Sequence, residues 1–213
     1  MIAGLIAGVV NGLIISVRKI NDFIVTLGML SIAAGTALVL SNGRPVQIIN
    51  SGLANVAINE KFGVPYLMYI AFAIVLFSHF LLFHTRFGVH LLAVGGDPDS
   101  ARAMGVSIVK IKVAVYGISG LLAGFAATLA IARIGAAEPA ANTAILLNSV
   151  AAVVLGGVSL FGGRATIFGP FVATLLLQAL SNGLTIVGVA SYYQYISVGI
   201  VVILSASLVR NVR

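Results

Sequence analysis

His84–Lys112 reads HTRFGVHLLAVGGDPDSARAMGVSIVKIK and separates two apolar runs, Pro65–Phe83 and Val113–Ala132. Each run is long enough for a helix to cross the hydrocarbon core of a bilayer, which needs about 20 apolar residues. With nearby Arg133, the polar segment holds seven of the chain's 17 charged residues, which are 12 basic and 5 acidic. A membrane protein that gathers its charge in one segment presents that segment to a partner in water, so we expect function to reside there.

The composition excludes a water-soluble globular domain. Hydrophobic residues make up 60% of the chain, charged residues 8%, and the mean hydropathy is +1.15. A soluble domain carries about 25% charged residues. With no cysteine, the chain has neither disulfides nor thiolate metal sites, and no metal site is expected. The net charge of +7 is interpreted as basic residues retained on the cytoplasmic side, and no nucleic-acid partner is expected.

The apolar runs predict an all-α fold, a polytopic transmembrane helix bundle of about seven spans. We expect residues 1–213 to form a single transmembrane domain. The chain from Ala144 to Val189 is divided at the turn Gly162-Gly163-Arg164. The predicted spans are Ile2–Val17, Phe23–Leu40, Pro65–Phe83, Val113–Ala132, Ala144–Phe161, Thr166–Leu184 and Tyr192–Val209.

The distribution of basic residues predicts the orientation. If the 84–112 segment is cytoplasmic, nine of the 12 basic residues lie inside and three, Arg44, Lys61 and Arg133, lie outside. Cytoplasmic loops carry this excess of Lys and Arg. The C-terminus is therefore expected in the cytoplasm and Met1 outside.

Glycines recur at four-residue spacing at Gly4, Gly8 and Gly12, and again at Gly120 and Gly124. This spacing places glycines on one helix face, where a neighbouring backbone can approach closely. Packing within the bundle is the first interpretation, and an interface between subunits is the alternative.

Within the polar segment, the sequence predicts a short helix on the cytoplasmic face. Asp97 is a suitable N-cap with Pro98 at the first helical position, and Gly105 is a suitable terminator. Such a helix is equally consistent with a docking element and with an ordinary connector.

The same segment resembles a known family. Asp99-Ser100-Ala101-Arg102-Ala103-Met104-Gly105 is similar to the Glu-Ala-Ala-x-x-x-Gly sequence of ATP-binding-cassette importer permeases, and the whole chain resembles the ribose-type sugar permeases among them. The further motifs that carry the resemblance occur in the family's order: Phe23–Met29, Ala93–Gly96, Tyr116–Gly120, Ala151–Arg164 and Asn182–Leu184.

The resemblance implies a multi-pass permease subunit of the bacterial cytoplasmic (inner) membrane that moves a monosaccharide by alternating access. It implies three protein partners: an ABC ATPase subunit, an extracytoplasmic sugar-binding protein and a second permease subunit, which forms either a homodimer or a heterodimer with this chain. The chain itself lies in the lipid bilayer. The chain is then no enzyme and binds no cofactor, because ATP is hydrolysed on the ATPase. The implied ATPase-coupling residues are Asp99, Ser100, Ala101, Arg102, Met104 and Gly105.

The chain departs from the family pattern in three ways, of which the first bears on activity, the second on the substrate, and the third is chemically mild. The chain corresponds to the C-terminal two-thirds of the family's domain, which predicts that further spans precede Met1 in the family. Leu146 and Asn148 stand where an acidic pair is expected before the Ala-Ala-Val-Val run. The coupling sequence begins Asp-Ser instead of Glu-Ala.

A sugar is uncharged, so a sugar pathway needs neutral hydrogen-bonding groups. Thr26, Ser31 and Ser159 are candidates inside or beside spans. The substrate-pathway residues we predict are Asn148, Ser149, Gly156, Gly157, Gln178 and Asn182. Asn148 is the foremost because it replaces a family acid, and the glycine pair is included because broken helices expose backbone groups in transporters.

Three alternatives remain at this stage. A branched-chain amino-acid ABC permease would share the architecture, although a zwitterionic substrate favours buried charge. An inactive truncated permease relic would keep the coupling helix without a complete pathway. A secondary transporter is disfavoured because Asp22, Glu60, Asp97, Asp99 and Glu138 all map to loops or span edges.

Overall fold

The computed structural model describes residues 1–47, 59–139, 143–159 and 162–190, together with residues 52, 57, 193, 196–197 and 199–201. The chain divides into two compact units, which are treated separately below. The first unit comprises Met1–Ile74 and Ala101–Ala141, and the second comprises Val75–Ser100 and Asn142–Arg213.

The first unit begins with two helices separated by a sharp turn. Helix α1 (Ile2–Arg18) ends at Lys19, which adopts a left-handed conformation with φ 52°. Helix α2 (Asp22–Ser41) starts at Asn21, whose side chain accepts a hydrogen bond from the Phe23 amide at 2.9 Å. A capping side chain of this kind satisfies an amide that has no partner inside the helix.

Short strands follow α2. Strand β1 (Val46–Gln47) pairs antiparallel with β4 (Ala136–Ala137), and β2 (Glu60–Lys61) pairs antiparallel with β3 (Val64–Pro65). Each strand has two residues, so the expectation of an all-α fold is confirmed.

The core of the first unit is the contact of α1 with α6 (Ile108–Ile134). A Cβ atom at Gly4 would overlap the carbonyl oxygen of Gly120, and one at Gly8 would overlap the carbonyl oxygen of Tyr116. A Cβ at Gly120 would in turn overlap the carbonyl oxygen of Gly4. The four-residue glycine spacing therefore serves packing within the chain, the first of the two interpretations that the sequence left open.

Helix α3 (Tyr66–Phe83) begins in the first unit and continues into the second, where α4 (Arg86–Gly96) follows it. The turn between them is tight: a Cβ at Gly88 would overlap the backbone of Leu82. Thr85 caps α4 by accepting a hydrogen bond from the Gly88 amide at 3.3 Å. After α4 comes α5 (Pro98–Ala103), a helix of 6 residues.

Helices α7 (Thr143–Leu155) and α8 (Phe168–Ile186) complete the second unit. Their contact buries a cluster of small and apolar side chains, Ala151, Ala152, Ala173 and Leu177. Alanine at three of the four positions lets the two helix backbones lie close together.

The predicted membrane bundle is confirmed, with several changes in its spans. Among the described residues, four helices, α2, α3, α6 and α8, are long and apolar enough to cross a membrane, and α1 and α7 are shorter apolar helices. The seventh predicted span, Tyr192–Val209, lies largely outside the described residues.

Two differences concern where helices begin and end. Helix α6 begins at Ile108, five residues before the predicted Val113. The prediction followed the apolar run, whereas the first turns of the helix also contain the charged residues Lys110 and Lys112. Helix α7 ends at Leu155 because Gly157, with φ 77°, cannot continue a right-handed helix. The 84–112 segment is consequently helical over most of its length, with α4 and α5 inside it.

Candidate functional site

Helix α5 has the N-terminal cap that the sequence predicts. The Asp97 Oδ1 atom accepts hydrogen bonds from the amides of Asp99 at 3.0 Å and Ser100 at 3.3 Å. The Ser100 hydroxyl also donates to the Asp97 carboxylate. This hydroxyl contact first, and the two amides after it, lower the pKa of Asp97. The cap is therefore intact at neutral pH, and it is lost only as the pH falls through a pKa that lies below the ordinary value of 3.8.

Gly105 terminates α5 by a specific backbone motif. The Gly105 amide donates to the Arg102 carbonyl at 2.9 Å and the Val106 amide to the Ala101 carbonyl at 3.0 Å. This pair of bonds is a Schellman motif, whose C′ residue adopts a left-handed conformation. Gly105 has φ 84°, so any side chain at this position strains the turn. The helix is one residue shorter than expected, because Met104 belongs to the terminating turn.

The predicted coupling residues differ in accessibility. Met104 is 71% exposed and Ala101 only 1%, while Asp99, Ser100, Arg102 and Gly105 are exposed. Ala101 is therefore buried within the protein, and a partner would meet the other five. Their role in coupling stays a prediction.

A polar cleft of about 210 Å³ lies between α7 and α8, within the second unit. Residues at i, i+3 and i+4 of α7 form one wall, and residues at i, i+3, i+4 and i+7 of α8 form the other. The lining residues are Ile145, Asn148, Ser149, Thr174, Leu177, Gln178 and Ser181. Five of these seven are neutral polar residues, and none of the seven is charged.

Hydrogen bonds inside each helix hold several of these polar groups. Ser149 donates to the Ile145 carbonyl at 2.7 Å, and Thr174 donates to the Pro170 carbonyl at 2.8 Å. A hydroxyl that donates to its own helix keeps its lone pairs for a ligand. Gln178 Nε2 donates to Asn182 Oδ1 at 3.2 Å, one turn further along α8.

Glycines close the other end of the α7–α8 hairpin. A Cβ at Gly156 would overlap Pro170 N and the Gly169 carbonyl carbon, and one at Gly169 would overlap the Gly156 carbonyl oxygen. The Thr166 hydroxyl donates to that same oxygen at 3.0 Å. The cleft residues of α8 begin at Thr174, about 6 Å along the helix from Pro170 at a rise of 1.5 Å per residue, and Leu177 belongs to both the buried cluster and the cleft.

The structure brings three of the predicted pathway residues, Asn148, Ser149 and Gln178, into one cleft. Asn182 contacts Gln178 without lining the cleft, and Gly156 and Gly157 lie at the closed end. Of the two residues that replace the family's acidic pair, Asn148 lines the cleft and Leu146 does not. The pathway assignment itself stays a prediction.

Two other candidates, Thr26 and Ser31, lie on α2 in the first unit. Their hydroxyls donate to the carbonyls of Asp22 at 3.0 Å and Leu27 at 3.2 Å, within their own helix. Conversely, sequence reasoning missed Thr174 and Ser181 in the cleft. The positions 174, 178 and 181 share one helix face, so this spacing was the available signal.

A second cluster that sequence reasoning missed joins α2 to α6. Lys112 Nζ lies 3.2 Å from Asp22 Oδ1, and the Tyr116 hydroxyl donates to Asp22 Oδ2 at 3.1 Å. These residues are 90 or more positions apart in sequence, so no local pattern indicates that they meet.

Comparisons with known proteins agree with the family resemblance. Residues 1–206 match the family described as "Branched-chain amino acid transport system / permease component". The chain is 40% identical to the ribose import permease protein RbsC of Escherichia coli strain K12, over 98% of this chain and 66% of that protein. It is 34% identical to the L-arabinose ABC transporter permease protein AraH of Azospirillum brasilense, over 96% and 60%.

A third relative is the fructose import permease protein FrcC of Rhizobium meliloti, at 30% identity over 99% of this chain and 61% of that protein. The chain thus spans somewhat less than two thirds of the length of these relatives. No solved structure matches.

Proposed function

This chain belongs to the family described as "Branched-chain amino acid transport system / permease component", and because its relatives in that family include permeases named for ribose, L-arabinose and fructose, we propose that it carries a monosaccharide across the bacterial inner membrane. In this proposal the chain is the membrane subunit of an ATP-driven importer. ATP is bound and hydrolysed by a separate ATPase, and an extracytoplasmic binding protein delivers the sugar. A second permease subunit completes the pathway.

The neutral lining of the α7–α8 cleft carries the proposal. Asn148, Gln178 and the hydroxyls around them offer both donors and acceptors, which match the hydroxyls of a sugar. The curated relatives named for ribose, L-arabinose and fructose support the same substrate class.

Helix α5 is proposed as the surface that docks the ATPase. It is capped at both ends by its own residues, and its buried Ala101 also packs within the protein. Met104 is the most exposed apolar side chain of this segment, which suits a contact in a groove of the partner. Alternating access then follows from movement of this helix when the ATPase closes.

Transport of a branched-chain amino acid is the second candidate, because the description of the matching family names that substrate. An amino acid carries an ammonium and a carboxylate group, and each needs a charged or strongly polar partner when it leaves water. The seven residues that line the cleft include no charge, which favours the sugar.

Substrate class is tested by uptake of labelled ribose, arabinose, fructose and leucine into cells that express the chain with its partners. We expect uptake of at least one sugar and none of leucine. Asn148→Leu is expected to lower sugar affinity about 2- to 13-fold, the value of one net hydrogen bond. The control Thr36→Val, on α2 in the first unit, is expected to leave the affinity unchanged. Leucine uptake that Asn148→Leu abolishes would establish the second candidate instead.

Docking is tested by co-purification of the ATPase with the chain. Met104→Glu is expected to release the ATPase, because it places a charge on the exposed apolar contact, and Met104→Leu is expected to retain it. Gly105 is a poor choice for this test, since with a φ of 84° any substitution there strains the backbone and disturbs the end of α5 itself. Retention of the ATPase by Met104→Glu would move the docking surface elsewhere.

A further inference from the structure

The end of α4 and the loop between α7 and α8 approach each other closely at glycine positions. A Cβ at Gly162 would overlap the carbonyl oxygen of Gly95, and a Cβ at Gly95 would lie 3.3 Å from the Gly163 amide nitrogen. A Cβ at Gly96 would lie 3.5 Å from the Gly163 Cα. No side chain intervenes at these positions, so a displacement of one backbone is passed directly to the other.

On one side of this contact, the chain continues directly into the proposed docking helix. The Asp97 amide donates to the Ala93 carbonyl at 3.0 Å, which closes the last turn of α4, and the Asp97 carboxylate caps α5. Asp97 therefore belongs to the end of one helix and the start of the next. Gly95 and Gly96 lie one or two residues before it, with no flexible linker between.

On the other side, backbone hydrogen bonds join described residues of the loop that connects α7 and α8. The Ser159 amide donates to the Arg164 carbonyl at 3.1 Å, and the Gly162 amide donates to the Ser159 carbonyl at 3.2 Å. Beyond these bonds, the Gly156–Gly169 contact holds the ends of α7 and α8 together. The Gly156–Gly169 contact is followed along the hairpin by the buried cluster, and Leu177 belongs to both that cluster and the lining of the cleft.

We infer that the contact of Gly95 and Gly96 with Gly162 and Gly163 is the positioning contact through which the start of the docking helix moves the α7–α8 hairpin and its cleft. This inference rests on the proposed function, because it presupposes that α5 docks an ATPase and that the cleft meets the substrate. It adds a route between the two, backbone against backbone within the second unit. Glycine is required at Gly162, where a Cβ would overlap Gly95, and a Cβ at Gly95 would make a tight contact with Gly163.

The absence of cysteine from the sequence allows a direct test. Ile145 lines the cleft and is 63% exposed, so Ile145→Cys reports access to the cleft by its rate of reaction with a water-soluble maleimide. The rate is measured in the complex with the ATPase, once without nucleotide and once after trapping with ATP and vanadate. We expect the two rates to differ when the glycines are intact.

Gly95→Leu is expected to reduce that nucleotide-dependent difference about threefold or more, within the range known for substitutions along a coupling route. The ATPase should co-purify as before, which a merely unfolded chain would not allow. Gly183→Leu is the matched control on α8, because a Cβ there has open space, and it should keep the full difference. A Cβ at Gly95 would make a tighter contact, 3.3 Å, than a Cβ at Gly96, 3.5 Å. The nucleotide-dependent difference in Gly95→Ala should therefore be larger than in Gly95→Leu and smaller than in Gly96→Ala.

A full nucleotide-dependent difference in both Gly95→Leu and Gly95→Ala would overturn the inference while leaving the proposed function intact. Equal rates in the two nucleotide states without any glycine substitution would instead contradict the proposed function, and the inference would fall with it. The graded alanine variants keep the test decisive if the leucine variant does not fold.

Discussion

The α1–α6 pair and the α7–α8 hairpin both pack through close contacts of glycine with backbone atoms, but these contacts are distributed differently along the helices. In α1–α6, close glycine contacts recur along the helices, from Gly4 against Gly120 to Gly12 against Val113. In α7–α8, the close contact is confined to one end, at Gly156 and Gly169, and the other end opens into a polar cleft. Glycine contacts thus repeat along the α1–α6 pair, whereas in the α7–α8 hairpin they hold one end together and leave a cleft further along.

The polar groups follow the same division. In the α1–α6 region, the Thr128 hydroxyl donates to the Gly124 carbonyl at 2.8 Å within α6. In the α7–α8 region, Thr174 makes the equivalent bond at 2.8 Å, yet it lines the cleft. The two threonines therefore make the same hydrogen bond, and they differ in the open space beside the Thr174 side chain. Residue type alone does not distinguish a structural threonine from one in the candidate site.

The largest expected effect is from Gly8→Leu, which inserts a side chain where even a Cβ overlaps the Tyr116 backbone. Overpacking costs about 1–3 kcal/mol, and here both neighbours are backbone atoms that cannot rotate away. We expect a lower free energy of unfolding, measured in detergent by thermal or denaturant unfolding. Gly28→Leu, with nothing within 4 Å of its Cβ, is the control. Equal stability of the two variants would contradict a close α1–α6 contact.

Gly156→Ala is next and tests the closed end of the hairpin. The added methyl group meets Gly169 and Pro170, so we expect a loss of stability of about 1 kcal/mol or more together with reduced uptake. Gly183→Ala, in the same unit and with open space, should be stabilising by up to about 1 kcal/mol, because alanine favours the helix. The two changes should thus have opposite signs in the same unfolding assay.

Thr174→Val and Thr128→Val form a matched pair across the two regions. Each removes one hydroxyl with a 2.8 Å bond to its own helix. We expect Thr174→Val to raise the KM for sugar uptake about 2- to 13-fold, and Thr128→Val to leave it unchanged. Similar uptake kinetics for the two variants would remove the functional distinction between the regions.

The smallest expected effect is from the ion pair of Asp22 with Lys112, whose side chains are 49% and 33% exposed. Such an exposed pair contributes about 0.2–1 kcal/mol and is screened by salt. A double-mutant cycle with Asp22→Asn and Lys112→Met should therefore give a small coupling energy that falls as salt is added. A coupling above that range would mean that the pair, and not glycine packing alone, holds the first unit together.

Much of the fold was predictable because it depends on local composition. The four long spans follow from apolar runs, and the cap at Asp97 and the stop at Gly105 follow from short-range hydrogen bonding. The candidate site was predicted in part: Asn148, Ser149 and Gln178 were identified as neutral polar residues in spans, whereas Thr174 and Ser181 were missed. Their recognition needs the knowledge that α8 turns that face toward α7.

The sequence by itself determined that the chain lies in a membrane, that its family is a permease family and that a capped helix interrupts the apolar runs. These properties reside in hydropathy, motif order and contacts between residues a few positions apart. Only the tertiary structure decided which glycines meet, that Asp22 pairs with Lys112, and that Asn148 and Gln178 share one cleft. Such contacts join residues far apart in sequence, and they depend on helix rotation and approach, which the packing of whole helices sets.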